Sequence, residues 1–214
     1  MIKLCLEIWG DYALFSRPEM KVERVSYDVI TPSAARGIME AIYWHPGIRY
    51  EVSRIFVLNK IKFANIRRNE VSQKISASNV KKFMKSKEGE LYIATSKDRT
   101  QRFSMVLKDV HYVIEIQVET TKENLLKTYN ILQRRLIKGQ CYHTPYFGTR
   151  EFPARFKLCE DISKIETAYP NEVRDLGFML YDMDYSDKNN ICPRFFRAKM
   201  ENGIINVKRS EVFR

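Results

Sequence analysis

Three histidines, His45, His111 and His143, are the only imidazoles in a chain of 214 residues. Lys108 lies three residues before His111. Side chains of these types suit one metal-free reaction. The 2′-hydroxyl of RNA attacks the adjacent phosphate, given a base, a cation for the charge on the phosphorane and an acid for the leaving oxygen. Tyr, His and Lys supply those roles, and aromatic rings hold unpaired bases by stacking. Taken singly, each histidine reads more simply as a structural or exposed residue, and Lys108 as a surface charge. There is no Walker loop, HExxH or GxSxG. No carboxylate cluster announces a magnesium site, so neither a metal nor another cofactor is expected.

The balance of charge points the same way. Lys and Arg number 37 against 26 Asp and Glu, a surplus of +11. Such a surplus favours a polyanionic partner through phosphate neutralisation and counterion release. It is also what a solvated basic surface looks like. Nine Lys/Arg fall between residues 60 and 88 against Glu70 and Glu88, a local surplus of seven. This segment reads as an exposed basic insertion, a hairpin or a solvated loop. Cys5, Cys141, Cys159 and Cys192 form no CxxC pair, so reduced thiols in the cytoplasm are expected. No apolar run reaches 18 residues, and no membrane span is expected. The first nine residues alternate and carry Glu7, unlike a signal peptide.

These residues need elements to position them. Ile2, Leu4, Leu6 and Ile8 alternate with polar partners, which predicts a half-buried strand. Thr31 and Pro32 predict a helix start. Ala34, Ala35, Ile38, Ala41 and Ile42 would form its apolar face, and Pro46-Gly47 would end it. His45 then follows this helix. Residues 48–58 read as a strand with Val52, Ile55 and Val57 in the core. Over 103–118, Val110, Tyr112, Ile114, Ile116 and Val118 share one face, with His111, Val113, Glu115 and Gln117 on the other. Thr120 and Glu123 read as a capping box. Leu125, Tyr129, Leu132 and Leu136 then form a buried stripe, with Lys127, Arg134, Arg135 and Lys138 exposed and Gly139 as the stop. His143 lies in a turn before a strand near 152–158. The order βαββαβ predicts an α+β fold: an RRM/ferredoxin-like N-terminal domain, followed by a small antiparallel β-sheet C-terminal domain. The expected boundaries are 1–158 and 159–214. In the second part, Asn202-Gly203 predicts a hairpin turn.

Several ordered blocks resemble one family. They include Trp9-Gly10-Asp11-Tyr12-Ala13-Leu14-Phe15, Thr31-Pro32-Ser33-Ala34-Ala35-Arg36-Gly37-Ile38 and Ala41-Ile42-Tyr43-Trp44-His45-Pro46. Ser26-Tyr27-Asp28-Val29, Leu107-Lys108-Asp109-Val110-His111-Tyr112, Phe147-Gly148-Thr149-Arg150-Glu151-Phe152, Asp175-Leu176-Gly177 and Met200-Glu201-Asn202-Gly203 complete the set. Together they are similar to the type I-C (Dvulg) subtype of the fifth CRISPR-associated Cas family. The resemblance implies a metal-independent endoribonuclease that cuts the CRISPR repeat in precursor crRNA. It would keep the 5′ handle within a surveillance complex, with crRNA and other complex subunits as partners and DNA as a further possible ligand.

The family pattern also implies site residues. It uses a Tyr after the first helix and a Lys-His pair near the start of a central strand. Tyr43 and Lys108 match. Asp109 stands in the histidine's place, and His111 lies two residues on, on the same face of an extended strand. On this reading Tyr43 or His111 acts as base or acid, and Lys108 stabilises the phosphorane. Trp44 and His45 stack a base, while Arg36, Arg67, Arg68 and Arg150 hold phosphates. Tyr43 also reads as an aromatic anchor that closes the helix. The alternative function is a non-catalytic subunit that binds the crRNA 5′ handle. A generic RRM-type RNA binder would need aromatic pairs on the central strands, and Tyr112 falls on the core face.

Overall fold

Leu4, Leu6 and Ile8 are buried on one face of the first strand, and Lys3, Cys5 and Glu7 take the other, as a period of two requires. The computed structural model describes residues 2–20, 22–87, 90–121, 124–208 and 210–213. In chain order its elements are β1 (Ile2–Ala13), β2 (Arg24–Val25), α1 (Pro32–Ile42), β3 (Ile48–Val57), β4 (Phe63–Val71), α2 (Ala77–Ser86), β5 (Arg99–Thr120), α3 (Leu125–Lys138), β6 (Arg155–Leu158), β7 (Val173–Asp184), β8 (Cys192–Glu201), β9 (Ile204–Asn206) and β10 (Val212–Phe213). The architecture is a mostly antiparallel sheet with a few helices. Its central strands run in the order β3-β5-β1-β6.

The core lies between this sheet and the helices α1 and α3. Leu6, Ile8, Ile114 and Ile116 pack there with Ile38, Met39 and Leu132. Each such side chain contributes about 1.5–3 kcal/mol by leaving water. Thr31 caps α1, its hydroxyl accepting from the Ala34 amide at 3.2 Å. The helix stops earlier than expected. Tyr43 is already extended at φ −153°, while its amide makes the last helical bond to Met39. The residue before Pro46 disfavours helix, so the chain leaves the helix ahead of the Pro46-Gly47 turn.

α3 corrects two expectations. Its cap is Asn124, whose side chain accepts from Leu126 and Lys127 at 2.9 and 3.3 Å. Thr120 belongs to β5, and Glu123 of the expected capping box lies outside the described residues, as does Glu88. The strand's pairing with β3 carries it through Thr120, which delays the helix start. Arg135 is half-buried rather than exposed, donating to the Ile42 carbonyl at 2.6 Å. Gly139 ends the helix at φ +63°, as read.

β5 serves two partnerships. Its second half pairs with β1 and β3, and its first part pairs with β4 from Phe63↔Leu107 to Val71↔Arg99. The basic segment is thus one strand of a long hairpin arm with α2 near its end, and α2 has no buried residue. The C-terminal strands do not form a separate sheet. β9 pairs with both β3 and β8, so β7, β8 and β10 continue the same ten-stranded sheet. Asn202 and Gly203 take φ +53° and +75° at the predicted turn, the handed geometry that a tight hairpin requires. No helix among the described residues is long and apolar enough to cross a membrane.

The cysteines are free thiols. Burial pushes the Cys5 thiol up to about 11, with Cys159 and Glu115 nearby adding to the rise. Cys141 is exposed. At pH 8 only about a thousandth of Cys5 is thiolate, the reactive form. Iodoacetamide is therefore expected to label Cys141 first and Cys5 last, read by peptide mass spectrometry.

Candidate active site

One side of α1 with its flanks, from Thr31 to Trp44, residues 14–16 and the segment 142–150 line one open groove of about 1020 Å³. A helix leaves its last carbonyls without intrahelical partners. Here the Tyr142 and His143 amides donate to the Ala41 carbonyl at 3.0 and 2.9 Å. Arg135 takes the Ile42 carbonyl, and its guanidinium lies 5.0 Å from the Tyr43 ring centroid. This cation–π contact and the bond from the Tyr50 hydroxyl to the Tyr43 carbonyl at 2.6 Å hold Tyr43 in place.

The rest of the segment is pinned from below. Phe147 is fully buried, edge-on to Phe15 and Tyr112. Its carbonyl accepts from Leu14 at 3.0 Å and its amide donates to Phe152 at 2.8 Å. Gly148 follows at φ +80°, pressed against the Leu14 carbonyl. Above these anchors Trp44, Tyr142, His143, Tyr146 and Arg150 line the groove. Trp44 is 55% and Tyr142 75% exposed, which leaves their faces open to a base. The Tyr142 and His143 rings meet edge to face at 4.4 Å. His143 was visible in the sequence only as one of three histidines. Its value comes from a hydrogen bond to a helix end about a hundred residues earlier in the chain.

Lys108 and His111 are elsewhere. Tyr43 sits over Tyr50, which pairs with Val118 of β5. Residues just before α1 sit over Tyr112, which has a backbone hydrogen bond with Ile30. α1 therefore runs along β3, and in the β3–β5 register seven residues separate the Tyr43 level from His111, about 23 Å at the rise of a strand. The two also project from opposite faces, since Tyr112 is buried beneath the helices. Tyr43 and His111 thus do not share one site. Asp109 departs from extended geometry as well, at φ +54°, so simple alternation between Asp109 and His111 does not hold. Lys108 is exposed at this end, its amide bonded to the Lys62 carbonyl at 2.9 Å.

His111 belongs to a small cluster on the open face. Its Nε2 lies 2.9 Å from Glu7 Oε1, and Lys157 lies 3.0 Å from Glu7 Oε2. Burial alone would raise the Glu7 carboxyl, but the hydrogen bonds from His111 and Lys157 hold it below the usual range. A lowered carboxylate stabilises the fold above its unfolded value, and that contribution is lost as pH falls through the lowered one.

The arginines divide by partner. Arg36 is bidentate to Asp182 at 2.7 and 2.9 Å and bonds Glu40 at 2.5 Å. Burial would lower its value, but these carboxylates raise it. Its donors are engaged within the fold, so taking a phosphate there would mean exchanging a carboxylate for it. Arg68 pairs with Glu151 and lies over Phe152. Arg67 stacks on Phe103 within the arm. Arg150 is exposed in the groove, and His45 is exposed beside it in sequence to Trp44, near the Pro46 carbonyl.

A family model described as CRISPR-associated protein (Cas_Cas5), in its Cas5d form, matches residues 3–208. The chain is 50% identical over 214 residues to the CRISPR pre-crRNA endoribonuclease Cas5d of Mannheimia succiniciproducens, covering 96% of this chain and 94% of that one. It is 39% identical over 237 residues to the protein of the same name from Thermus thermophilus, covering 100% and 96%. Among solved structures, a CRISPR-associated protein superposes with a TM-score of 0.71 at 22% identity, over 100% of this chain and 97% of that one. A chain of a CRISPR RNA-guided surveillance complex superposes at 0.54 with 12% identity, over 99% and 89%. These two show a shared fold. By the extent of the family match and the identity to its curated members, the chain belongs to the Cas5d family of CRISPR-associated proteins.

Proposed function

We propose that this chain is an endoribonuclease that cuts the CRISPR repeat in precursor crRNA and remains on the 5′ handle as a subunit of a surveillance complex. The 50% identity across nearly the whole chain to a curated pre-crRNA endoribonuclease carries this reading. The strand order β3-β5-β1-β6, with α1 and α3 on one face, supports an RRM/ferredoxin-like unit over 1–158, to which 159–214 adds further strands.

The chemistry belongs at the groove. A base there takes the proton of the 2′-hydroxyl, whose oxygen attacks phosphorus. The bond to the 5′-oxygen breaks, and that oxygen takes a proton from the acid. The products carry a 2′,3′-cyclic phosphate and a 5′-hydroxyl. His143 in the groove and Tyr43, which precedes the groove-lining Trp44, serve as the proton-transfer pair, Arg150 meets the phosphorane charge, and Trp44, with Tyr142, stacks flanking bases. Incubating the protein with repeat RNA in EDTA between pH 6 and 9 tests the reading. Cleavage with a cyclic phosphate end is expected. RNA binding with no product at any pH favours the second reading, a handle-binding subunit without catalysis. The separation of Tyr43 from Lys108 and His111 is the observation on that side.

The basic arm serves the backbone of the nucleic acid, RNA or the DNA that the complex would meet. Lys81, Lys82 and Lys85 are exposed on α2. Replacing all three with Ala is expected to flatten the slope of log affinity against log salt by about 2, at roughly 0.7 per phosphate contact on single strands. Titrations across a salt series measure it.

A further inference from the structure

The open face of the sheet carries an aromatic pair that the groove does not use. Trp9 of β1 and His111 of β5 stand directly opposite in register. Their rings meet edge to face at 6.1 Å. Their strand neighbours Ile8 and Tyr112 are buried in the core, so Trp9 and His111 project away from α1 and α3. Both are only partly buried. Lys157 lies 5.6 Å from the Trp9 ring centroid, and the exposed Arg155 pairs in register with Trp9. Glu7 binds His111 and Lys157 together, so the imidazole and the ammonium are fixed beside the indole. Next to them is a depression of about 290 Å³, bordered also by Asn59 and Asp109. Further down the same face, Glu115 is buried by Arg54 and Lys3, and Lys208 covers Gln117. The open part is therefore confined to the rows around Trp9.

We propose that Trp9 and His111 form a stacking platform for unpaired bases of single-stranded RNA, with Arg155 and Lys157 on its phosphates. The choice of RNA as the polyanion rests on the functional reading above. Aromatic residues on the two central strands of a four-stranded sheet stack successive bases in this way. Flanking cations supply the charge complement, and stacking tolerates any base. Along β5 the platform is about 23 Å from the level of Tyr43. It therefore grips RNA several nucleotides from the bond that is cut.

The test uses the full chain and a short fluorescein-labelled single-stranded RNA lacking the repeat, so binding is read without cleavage. Trp9→Ala is expected to weaken anisotropy-measured affinity about 5- to 150-fold, the range for losing one stacked base. Trp9→Phe should restore most of it, and His111→Ala should weaken binding in the same direction. The same RNA annealed to its complement should bind wild type and Trp9→Ala alike. RNA bearing 4-thiouridine should cross-link to peptides containing Trp9 or His111. Unchanged affinity in Trp9→Ala, equal loss for the duplex, or cross-links only elsewhere overturns the platform. Should Trp9→Ala unfold in a thermal melt, Trp9→Phe and the wild-type cross-links decide. A protein that cross-links at Trp9 but never cuts refutes the ribonuclease and keeps the platform. One that cuts without such cross-links does the reverse.

Discussion

Tyr43→Phe is expected to slow cleavage of repeat RNA by about 10²–10⁴-fold, the usual worth of a proton-transfer group. The substitution keeps the ring beneath Arg135 and leaves the carbonyl that accepts from Tyr50. Folding and RNA affinity should therefore hold, and the loss should fall in kcat measured at saturating RNA. His143→Ala should lose a comparable factor. If the two act on one phosphate, the double variant should be little worse than the worse single one, because groups that act as a unit are not additive. Single-turnover rates on one repeat RNA settle the matter. His111→Ala is expected to act through RNA affinity. A kcat loss in His111→Ala equal to that of Tyr43→Phe would move the chemistry to the β5 cluster. A Tyr43→Phe protein that cuts at the wild-type rate would leave Tyr43 as packing alone.

Gly148→Ala is expected to destabilise the protein by about 3–5 kcal/mol and to disable the groove with it. The residue sits at φ +80°, where a side chain costs about 1–2 kcal/mol in any surroundings. A Cβ there would also fall 1.9 Å from the Leu14 carbonyl oxygen, which is backbone and cannot swing aside. Relief requires lifting the segment, which gives up the Leu14–Phe147 hydrogen bond and the burial of Phe147, itself worth about 1.5–3 kcal/mol. Gly139→Ala is the matched comparison. Gly139 also has positive φ, at +63°, but nothing lies within 4 Å of its added Cβ. It should show the backbone strain alone, about 1–2 kcal/mol, and spare cleavage. Urea unfolding of both variants, with cleavage assayed below the transition, separates strain from collision. Equal destabilisation in the two would show that the collision is relieved at no cost.

Local features were legible because their causes lie within a few residues. The alternation of β1 and β5, the Thr31 cap, the Gly139 stop and the Asn202-Gly203 turn each follow from neighbours one to four positions away. The failed capping box has the opposite cause. Pairing of β5 with distant strands keeps Thr120 in the sheet and passes the cap to Asn124. Arg36 looked like a free cation because Asp182, which engages it, is 146 residues away. The C-terminal strands looked separate because nothing near Ile204 tells that β9 will pair with β3.

The sequence by itself determined the family, the order of the main strands and helices, and which residue types were present for chemistry on RNA. Only the tertiary structure decided which of them meet. Periodicity assigns a residue to a face of its own element, but it carries no information on where along a neighbouring strand a helix end will lie. That placement comes from packing α1 over β3, whose register with β5 sets Tyr43 at the Val118 level and leaves His111 beside Trp9 on the other face. The same packing brings His143 to the end of α1. Backbone preference is local and short-ranged, whereas the joining of side chains into a site depends on burial and hydrogen bonds between segments far apart in the chain.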